Sequence, residues 1–217
     1  MKQIYDYWFP DKEEHLTGML DKNYKESNIA EYQYIIRNES FKHLTQYRVA
    51  VDVGANIGLW SRDLCKKFNK VIAFEPIYEF CQCLKMNVRD SNLHIEQVGL
   101  GNIETYADFV MNENNIGHTY IDPETIGTGK FLIKTLDSYN LPIVDYIKID
   151  CEGFEYRVLQ GAKETLLRCK PIVVIEQKPH TFYADEYGQL DGIKLLESWG
   201  MIFLEKFKKD YVMGWSK

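Results

Sequence analysis

The sequence predicts an α/β fold: a doubly wound, mostly parallel, Rossmann-like sheet of seven strands with an antiparallel hairpin at its C-terminal edge. Short apolar runs alternate with segments of helical periodicity from residue 49 onward, which indicates parallel strands covered by helices on both faces. A glycine-rich turn joins the first of these strands to the next helix. Two alternating runs close the chain after Gly200, where the last helical pattern ends.

The chain divides by pattern into a helical arm, residues 1–46, and one domain, residues 47–217. In the arm, Asp11 is predicted to cap a helix with Glu13 and Glu14 in its first turn, because acids stabilise a helix start. A second helix is predicted from about Ile29 to Leu44. No shift in composition, internal repeat or low-complexity segment indicates a second domain.

The domain alternates strands and helices in chain order. Apolar or alternating runs predict strands at Val49–Val53, Val71–Phe74, Leu93–Val98, Ala107–Met111, Phe131–Thr135, Val144–Asp150 and Pro171–Glu176. Helical periodicity predicts helices at Leu59–Phe68, Tyr78–Val88, Phe154–Cys169 and Leu190–Trp199. The closing hairpin is predicted from Met201–Phe207 and Tyr211–Trp215.

Composition limits the class of protein. The 217 residues are 45% hydrophobic and 27% charged, as in an ordinary globular domain, and the net charge is −6, which argues against tight binding to duplex nucleic acid. No apolar run approaches the ~20 residues of a membrane span, and the N-terminus does not resemble a secretory leader. The five cysteines are an odd number, and the Cys81-x-Cys83 spacing favours packing over zinc. We therefore expect a reducing, cytoplasmic environment.

The segment Val51 to Gly58 (V-D-V-G-A-N-I-G) is the most specific motif of the chain. Dinucleotide sites use G-x-G-x-x-G, and here Asn56 and Leu59 stand where glycines are needed. The pattern D-x-G-x-N-x-G is instead typical of S-adenosylmethionine (SAM) methyltransferases. Asp52 would face the cofactor's ammonium, and the backbone of the turn, with its glycines, would bind the cofactor's carboxylate. The predicted contacts in this segment are Asp52, Gly54, Ala55, Asn56 and Gly58.

A second acid follows the next predicted strand. Glu75 lies 23 residues after Asp52, close to the offset at which an acid meets the ribose hydroxyls in this architecture. Together with the turn it predicts SAM as the cofactor. The remaining predicted cofactor contacts are Pro76, Gly99 and Leu100.

Further carboxylates follow the later strands, and ligands of open α/β sheets bind at these strand ends. Asp150, Glu152 and Glu155 leave one strand at a glycine turn, while Glu176 and His180 leave the next. These acids suit acid–base work or a divalent cation, and they equally suit capping of the following helix.

The chain resembles the FkbM-type family of SAM-dependent methyltransferases over about residues 49–178. The resemblance is carried by V-D-V-G-A-N-I-G, by K-T-L-D at Lys134–Asp137, by I-K-I-D-C-E-G-F-E at Ile147–Glu155, and by P-I-V-V-I-E at Pro171–Glu176. It implies the sheet of a class I methyltransferase, SAM as cofactor, and O-methylation of a sugar, polyketide or similar hydroxylated molecule.

A hydroxyl acceptor needs a base or a metal before it can attack a methyl group. Asp150 is the predicted base, with Glu152 and His180 as further catalytic residues, while His118 and His15 are alternatives. No metal is required by the pattern. A Mg²⁺ ion, if one is used, would bind Asp150, Glu152 and Glu176.

Other functions stay open at this point. A nucleic-acid methyltransferase is disfavoured by the negative charge and by the residues Asp150-Cys151-Glu152-Gly153, which match neither an amino-directed motif nor a Pro-Cys nucleophile. A nicotinamide oxidoreductase is disfavoured by the glycine spacing. A non-catalytic SAM-binding protein would show the same motifs. The expected partner is a small-molecule or glycan hydroxyl, and a homodimer is left open.

Overall fold

The computed structural model describes residues 1–18, 31–178 and 190–216. Its strands are β1 (Lys2–Ile4), β2 (Tyr7–Phe9), β3 (Val49–Val53), β4 (Lys70–Phe74), β5 (Leu93–Glu96), β6 (Gly99–Leu100), β7 (Thr105–Val110), β8 (Tyr120–Asp122), β9 (Phe131–Lys134), β10 (Tyr146–Ile149), β11 (Ile172–Glu176), β12 (Met201–Phe207) and β13 (Asp210–Trp215). Its α-helices are α1 (Glu31–Phe41), α2 (Ser61–Cys65), α3 (Tyr78–Asn87), α4 (Glu155–Gln160), α5 (Lys163–Cys169) and α6 (Asp191–Ser198).

The central sheet has seven strands in the order β12-β13-β11-β10-β3-β4-β5. The run from β11 to β5 is parallel throughout. The hairpin β12–β13 joins it antiparallel, through β13 against β11. The alternation of the sequence therefore predicted both the parallel core and the antiparallel edge. In the described part of the chain, no helix is long and apolar enough to cross a membrane.

Helices cover both faces of this sheet. On one face Val51, Ile147 and Ile175 pack in a single apolar cluster with Leu159 of α4 and Leu196 of α6. All five side chains are fully buried. Burial of apolar surface on this scale is the main force that holds the layers together.

The opposite face presents the alternate residues of the same strands, as a period of two requires. Ala50, Val71 and Val174 pack there with Leu64 of α2 and Leu84 of α3. Because both faces are apolar, the core strands read as mostly apolar runs. The chain thus has a mixed α/β fold with a large, mostly parallel central sheet and helices on both faces.

A second sheet, with the order β6-β9-β7-β8, lies on the α4–α6 side of the molecule. Its residues Ala107, Ile121 and Ile133 join the apolar cluster on that face. The sequence predicted β7 and β9 but not their sheet. The strands β6 and β8 have two and three residues, which is too short for a periodic signal.

The beginning of the arm differs from the prediction. Residues 2–9 form the hairpin β1–β2, not a helix, and helical backbone begins at residue 15. The hairpin is held by tertiary contacts, since the amide of Trp8 donates to Asn87 of α3 at 2.6 Å and Phe9 is fully buried. Asp11 is not a helix cap. It pairs with the Met1 ammonium at 2.9 Å, while Glu13 accepts from the amide of Leu16 at 2.6 Å.

The helix predicted at Phe154–Cys169 is divided into α4 and α5. Gly161 stands at the break, and a Cβ there would lie 1.9 Å from the carbonyl oxygen of Gly101. The carboxylate of Asp137 then accepts from the amides of Glu164 and Thr165 at 3.0 and 2.8 Å, which caps α5 from outside the helix. Close packing and a distant cap therefore interrupt a pattern that looks continuous in sequence.

Candidate active site

One cavity of about 310 Å³ opens at the carboxyl ends of β3, β4, β10 and β11. This is the edge at which parallel α/β sheets bind their ligands. Most of the predicted site residues lie in its lining. These are Gly54, Ala55, Asn56, Glu75, Pro76, Gly99, Leu100, Asp150, Glu152 and Glu176, together with His15 and His118. The predicted His180 lies outside the described residues.

The glycine-rich turn lies against the backbone at the carboxyl end of β10, where Asp150 follows the strand. Gly54 has a φ of +74°, and a Cβ at this position would lie 2.0 Å from the backbone oxygen of Asp150. Only glycine meets both conditions, because a side chain would clash and would strain the backbone. The first glycine of the motif therefore sets how closely β3 and β10 approach at the cavity.

The amides of this turn are not available for an anion, contrary to the sequence-based expectation. Gly54 and Ala55 donate to the carbonyl of Phe74, each at 3.1 Å. Asn56 donates to the Glu75 carboxylate at 2.9 Å, and its own side chain accepts from the next amide at 2.8 Å. Leu59 also lines the cavity, and its amide donates to no acceptor in the described residues. An anionic group of a ligand would meet the end of the turn, not its centre.

Gly58 has a structural role that the sequence did not indicate. It lies outside the cavity lining, with a φ of +91°, and a Cβ would stand 2.3 Å from Cδ1 of Leu84. The residue therefore allows the turn to pack against α3. The predicted contact of Gly58 with the cofactor has no support from this position and stays a prediction.

Glu75 is almost fully buried in the wall of the cavity. One carboxylate oxygen accepts from the amide of Asn56 and the other from the amide of Ile77, each at 2.9 Å. Burial raises the pKa of Glu75 to about 7, and the two amide bonds oppose this rise. A carboxylate has about four acceptor sites, so Glu75 can still accept hydrogen bonds from a ligand hydroxyl.

Asp52 lies behind the turn and not in the cavity lining. Its side chain is fully buried, accepts from the Ser61 hydroxyl at 2.6 Å, and has Lys148 at 3.8 Å. Burial raises the pKa of Asp52, which the charge of Lys148 partly offsets. In the described arrangement Asp52 links the sheet to the start of α2 through Ser61, and direct contact with a cofactor ammonium stays a prediction.

Acids and lysines alternate around the floor of the cavity. Lys148 Nζ lies 3.4 Å from Asp150, and Lys178 Nζ lies 2.7 Å from Glu176 and also bonds Glu152. Lys148 is 96% buried, and Lys178 is mostly buried, with 17% of its side chain exposed. Buried charges of this kind are stable only when paired, so the cluster is a connected network and not a set of independent residues.

The network gives its three acids different pKa values. The ammonium groups of Lys148 and Lys178 outweigh burial and hold the pKa of Asp150 well below its usual range. Burial raises the pKa of Glu176 far above the usual range, and the charge of Asp150 adds to this. The two pKa shifts run in opposite directions, so a proton shared by this pair of acids lies on Glu176 in preference to Asp150. Burial, with the same charge, raises the pKa of Glu152 to about 7.

The acids of this network were predicted to be the ligands of any Mg²⁺ ion. Carboxylate oxygens of Asp150, Glu152 and Glu176 lie within 4.8 Å of one another, which is a spacing that a hard cation accepts. The Lys178 ammonium, however, bonds two of the three acids and supplies the positive charge that a cation would provide. The residues as arranged do not fit a resident cation, and we derive no step through one.

Glu155 is a structural residue. Its carboxylate accepts from the amides of Cys151 and Gly153 at 2.8 and 3.0 Å, and only 4% of the residue is exposed. These amides precede α4, so Glu155 holds the turn that presents Asp150 and Glu152 and does not cap the helix itself.

The arm and one loop complete the cavity. His15 from the arm and His118 from the loop at residues 112–118 both line it, as do Asn115 and Gly117. Glu13 joins the two segments, because its second carboxylate oxygen accepts from the amide of Ile116 at 2.7 Å. The loop and the arm therefore both reach the cavity.

Comparison with known proteins gives the family. Residues 52–203 match the family profile described as the Methyltransferase FkbM domain, which is more than half of the chain. The chain belongs to the FkbM methyltransferase family. No curated protein matches it in sequence.

Solved structures share the fold at low identity. An FkbM methyltransferase from Methylobacillus flagellatus KT is 20% identical with a TM-score of 0.51, covering 77% of this chain and 43% of its own. A candidate O-methyltransferase from Klebsiella pneumoniae is 12% identical with a TM-score of 0.55, covering 92% and 88%. A candidate methyltransferase from Streptococcus mutans, solved with S-adenosylhomocysteine (SAH), is 10% identical with a TM-score of 0.50, covering 83% and 94%. The chain spans less than half of the first structure.

Two lysines of this FkbM domain were missed in the sequence. Lys148 interrupts the apolar strand I-K-I, as Asp52 interrupts V-D-V, and the two residues are paired in register on neighbouring strands. A single charged residue within each of two buried strands indicates an internal ion pair, so this pair could have been predicted from the sequence. Lys178 follows β11 and had no comparable signal in the sequence.

Proposed function

We propose that this FkbM-family chain is a SAM-dependent methyltransferase that methylates a hydroxyl group of a small molecule or sugar. The observation that carries the proposal is the single cavity in which the glycine-rich turn, Glu75 and the acid–lysine network meet. Such a transfer requires a surface that binds the cofactor and a group that accepts the proton of the hydroxyl.

The residues present fit SAM on the wall formed by the turn and Glu75. The volume of about 310 Å³ is at the lower end of ligand pockets, and Glu75 has unused acceptor sites for the two ribose hydroxyls. Pro76, Gly99 and Leu100 supply apolar and backbone surface beside it. When bound, SAM supplies an electrophilic methyl group. Asp52 lies behind the turn and bonds Ser61 at the start of α2.

Glu152 is the better candidate for the general base, although Asp150 was predicted first. A base is most effective when its pKa is close to the working pH, and the pKa of Glu152 is raised to about 7. Asp150 binds protons too weakly for this role, and its charge helps to raise the pKa of Glu152. Lys178 bonds Glu152 and fixes the direction of its carboxylate. Asp150 and Lys178 are therefore proposed as positioning residues.

Binding and transfer are tested separately. Calorimetry with SAM, SAH and NAD is expected to show saturable binding of the first two and none of NAD, while binding of NAD alone would contradict the proposal. Transfer of a labelled methyl group is then measured on a panel of sugars and hydroxylated small molecules. Glu152→Gln is expected to lower turnover by about 10²–10⁴-fold with the SAH affinity kept, and the exposed Glu164→Gln to leave both unchanged.

A further inference from the structure

The mouth of the cavity carries groups that can donate a hydrogen bond or offer a positive charge to an anion, and they come from three separate parts of the chain. His15 comes from the arm, His118 from the loop at residues 112–118, and Lys209 from the turn between β12 and β13, and all three line the cavity while remaining exposed. The chain as a whole has a net charge of −6, so the mouth differs from the average surface. A local concentration of one charge at a cleft attracts ligands of the opposite charge.

In the part of the chain that the structure describes, these three side chains show no anionic partner. Within the described residues, none of them makes a side-chain hydrogen bond or an ion pair. They act on one another instead. Burial lowers the pKa of His118, and the positive charges of Lys178, His15 and Lys209 lower it further. Because its pKa is lowered, His118 is mainly neutral at neutral pH and offers an anion a ring N–H donor, while the Lys209 ammonium offers a positive charge.

The histidines are held at the mouth by buried contacts. Glu13 is fully buried, and its carboxylate joins the amides of Leu16 and Ile116 at 2.6 and 2.7 Å. Asn56 of the glycine-rich turn donates to the carbonyl of Ile116 at 3.2 Å. The arm, the loop and the cofactor turn are thus one connected unit, so the positions of His15 and His118 follow from the same framework as the site.

Lys209 is placed by the main sheet. Its carbonyl accepts from the amide of Gln177 at 2.9 Å, which fixes the hairpin turn beside the end of β11. The acids of the floor do not cancel the charge at the mouth. Asp150 is paired with Lys148 at 3.4 Å, while Lys178 lies 2.7 Å from Glu176 and also bonds Glu152. The acids of the floor therefore have cationic partners of their own, and within the described residues Lys209 at the opening is not one of them.

We propose that the methyl acceptor, besides its hydroxyl group, carries a phosphate or carboxylate group that binds at the mouth between His15, His118 and Lys209. This inference rests on the proposed function for the identity of the ligand as an acceptor. It narrows the acceptor from any hydroxylated molecule to an acidic one, such as a sugar phosphate or a sugar acid by chemical class.

The test uses the full chain and two simple anions, since the acceptor is unidentified. Calorimetry at low ionic strength measures sodium phosphate and sodium acetate binding to the SAH-loaded protein. At least one anion is expected to bind saturably, and Lys209→Gln to weaken that binding about fivefold, as removal of one exposed charge allows. Lys208→Gln, in the same turn but outside the lining, is the matched control and is expected to have no effect. The stronger anion distinguishes a phosphate-bearing from a carboxylate-bearing acceptor.

Two results would overturn the inference: no saturable binding of either anion, or equal weakening by Lys208→Gln and Lys209→Gln. The heat of SAH binding is recorded first in the same samples. If SAH binds and the anions do not, the anion site is wrong while the proposed function stands. If SAH does not bind, the proposed function fails, and anion titration of the cofactor-free chain with the two variants still decides whether the mouth is an anion site.

Discussion

The ionisation of Glu75 should control cofactor affinity through pH. The carboxyl group is buried in the cavity wall, and its pKa is about 7 compared with an ordinary value of 4.5. Hydroxyl groups of a ribose donate to the ionised carboxylate, so binding must first remove the proton. SAH affinity is therefore expected to rise with pH and to level off above pH 7.

The size of the effect follows from the pKa. With a pKa of about 7, roughly one molecule in eleven is ionised at pH 6 and ten in eleven at pH 8. The affinity should thus increase about tenfold over this range, or about 1.4 kcal/mol. The effect of pH on folding stability has the opposite sign. Because the folded chain holds this proton more tightly than the unfolded chain, the contribution of Glu75 to stability falls as pH rises from about 4.5 to about 7.

The assay is calorimetry of SAH binding at pH 6, 7 and 8 in buffers with different ionisation heats, which also counts the protons released. Glu75→Gln cannot ionise and should bind more weakly at pH 8, with the tenfold dependence removed. The exposed Glu79→Gln on α3 is the matched control and should keep the dependence. Glu152 titrates in the same range, so the comparison between variants is decisive. An unchanged dependence in Glu75→Gln would refute the reasoning.

Three further outcomes are expected. In denaturant melts, Gly54→Ala should lower the free energy of unfolding by about 2–5 kcal/mol, and Gly127→Ala by about 1–2 kcal/mol. Both glycines have a positive φ, but only a side chain at Gly54 would clash with its neighbours. Equal losses would count against the close approach of Gly54 to Asp150. Glu155→Ala should lower the free energy of unfolding by about 1–3 kcal/mol for each amide left unpaired, whereas Glu155→Gln should stay near wild type. An Ala variant as stable as wild type would argue against the role of Glu155 in holding the turn. Methyl transfer should survive dialysis against a chelator because Lys178 supplies the positive charge, and recovery only on adding Mg²⁺ would reverse that conclusion.

The order of the elements was predictable because the core strands are mostly apolar runs that alternate with helical periods. Val51 and Val174 lie on opposite faces of the sheet, yet both faces are covered by helices, so the strands show no polar alternation. The features that were missed depend on contacts between distant residues. The hairpin at residues 2–9 is fixed by Asn87, and the division of α4 from α5 by Gly101 and Asp137.

The same distinction applies to the site. The location of Glu75, Asp150 and Glu152 at one cavity follows from topology, since the carboxyl ends of parallel strands share an edge. Their protonation could not be predicted, because it depends on Lys148 and Lys178, whose distances from the acids are set by the folded sheet. For this reason the proposed base is Glu152, and Asp150 is proposed as a positioning residue.

The central claim is that the cavity beside Glu75 is the SAM site of this FkbM domain. A crystal structure of the full chain with SAH tests it most directly. The account predicts the ribose hydroxyls within hydrogen-bond distance of the Glu75 carboxylate, with the sulfur atom facing the space beside Glu152. SAH bound elsewhere, or a ribose with no contact to Glu75, would contradict it.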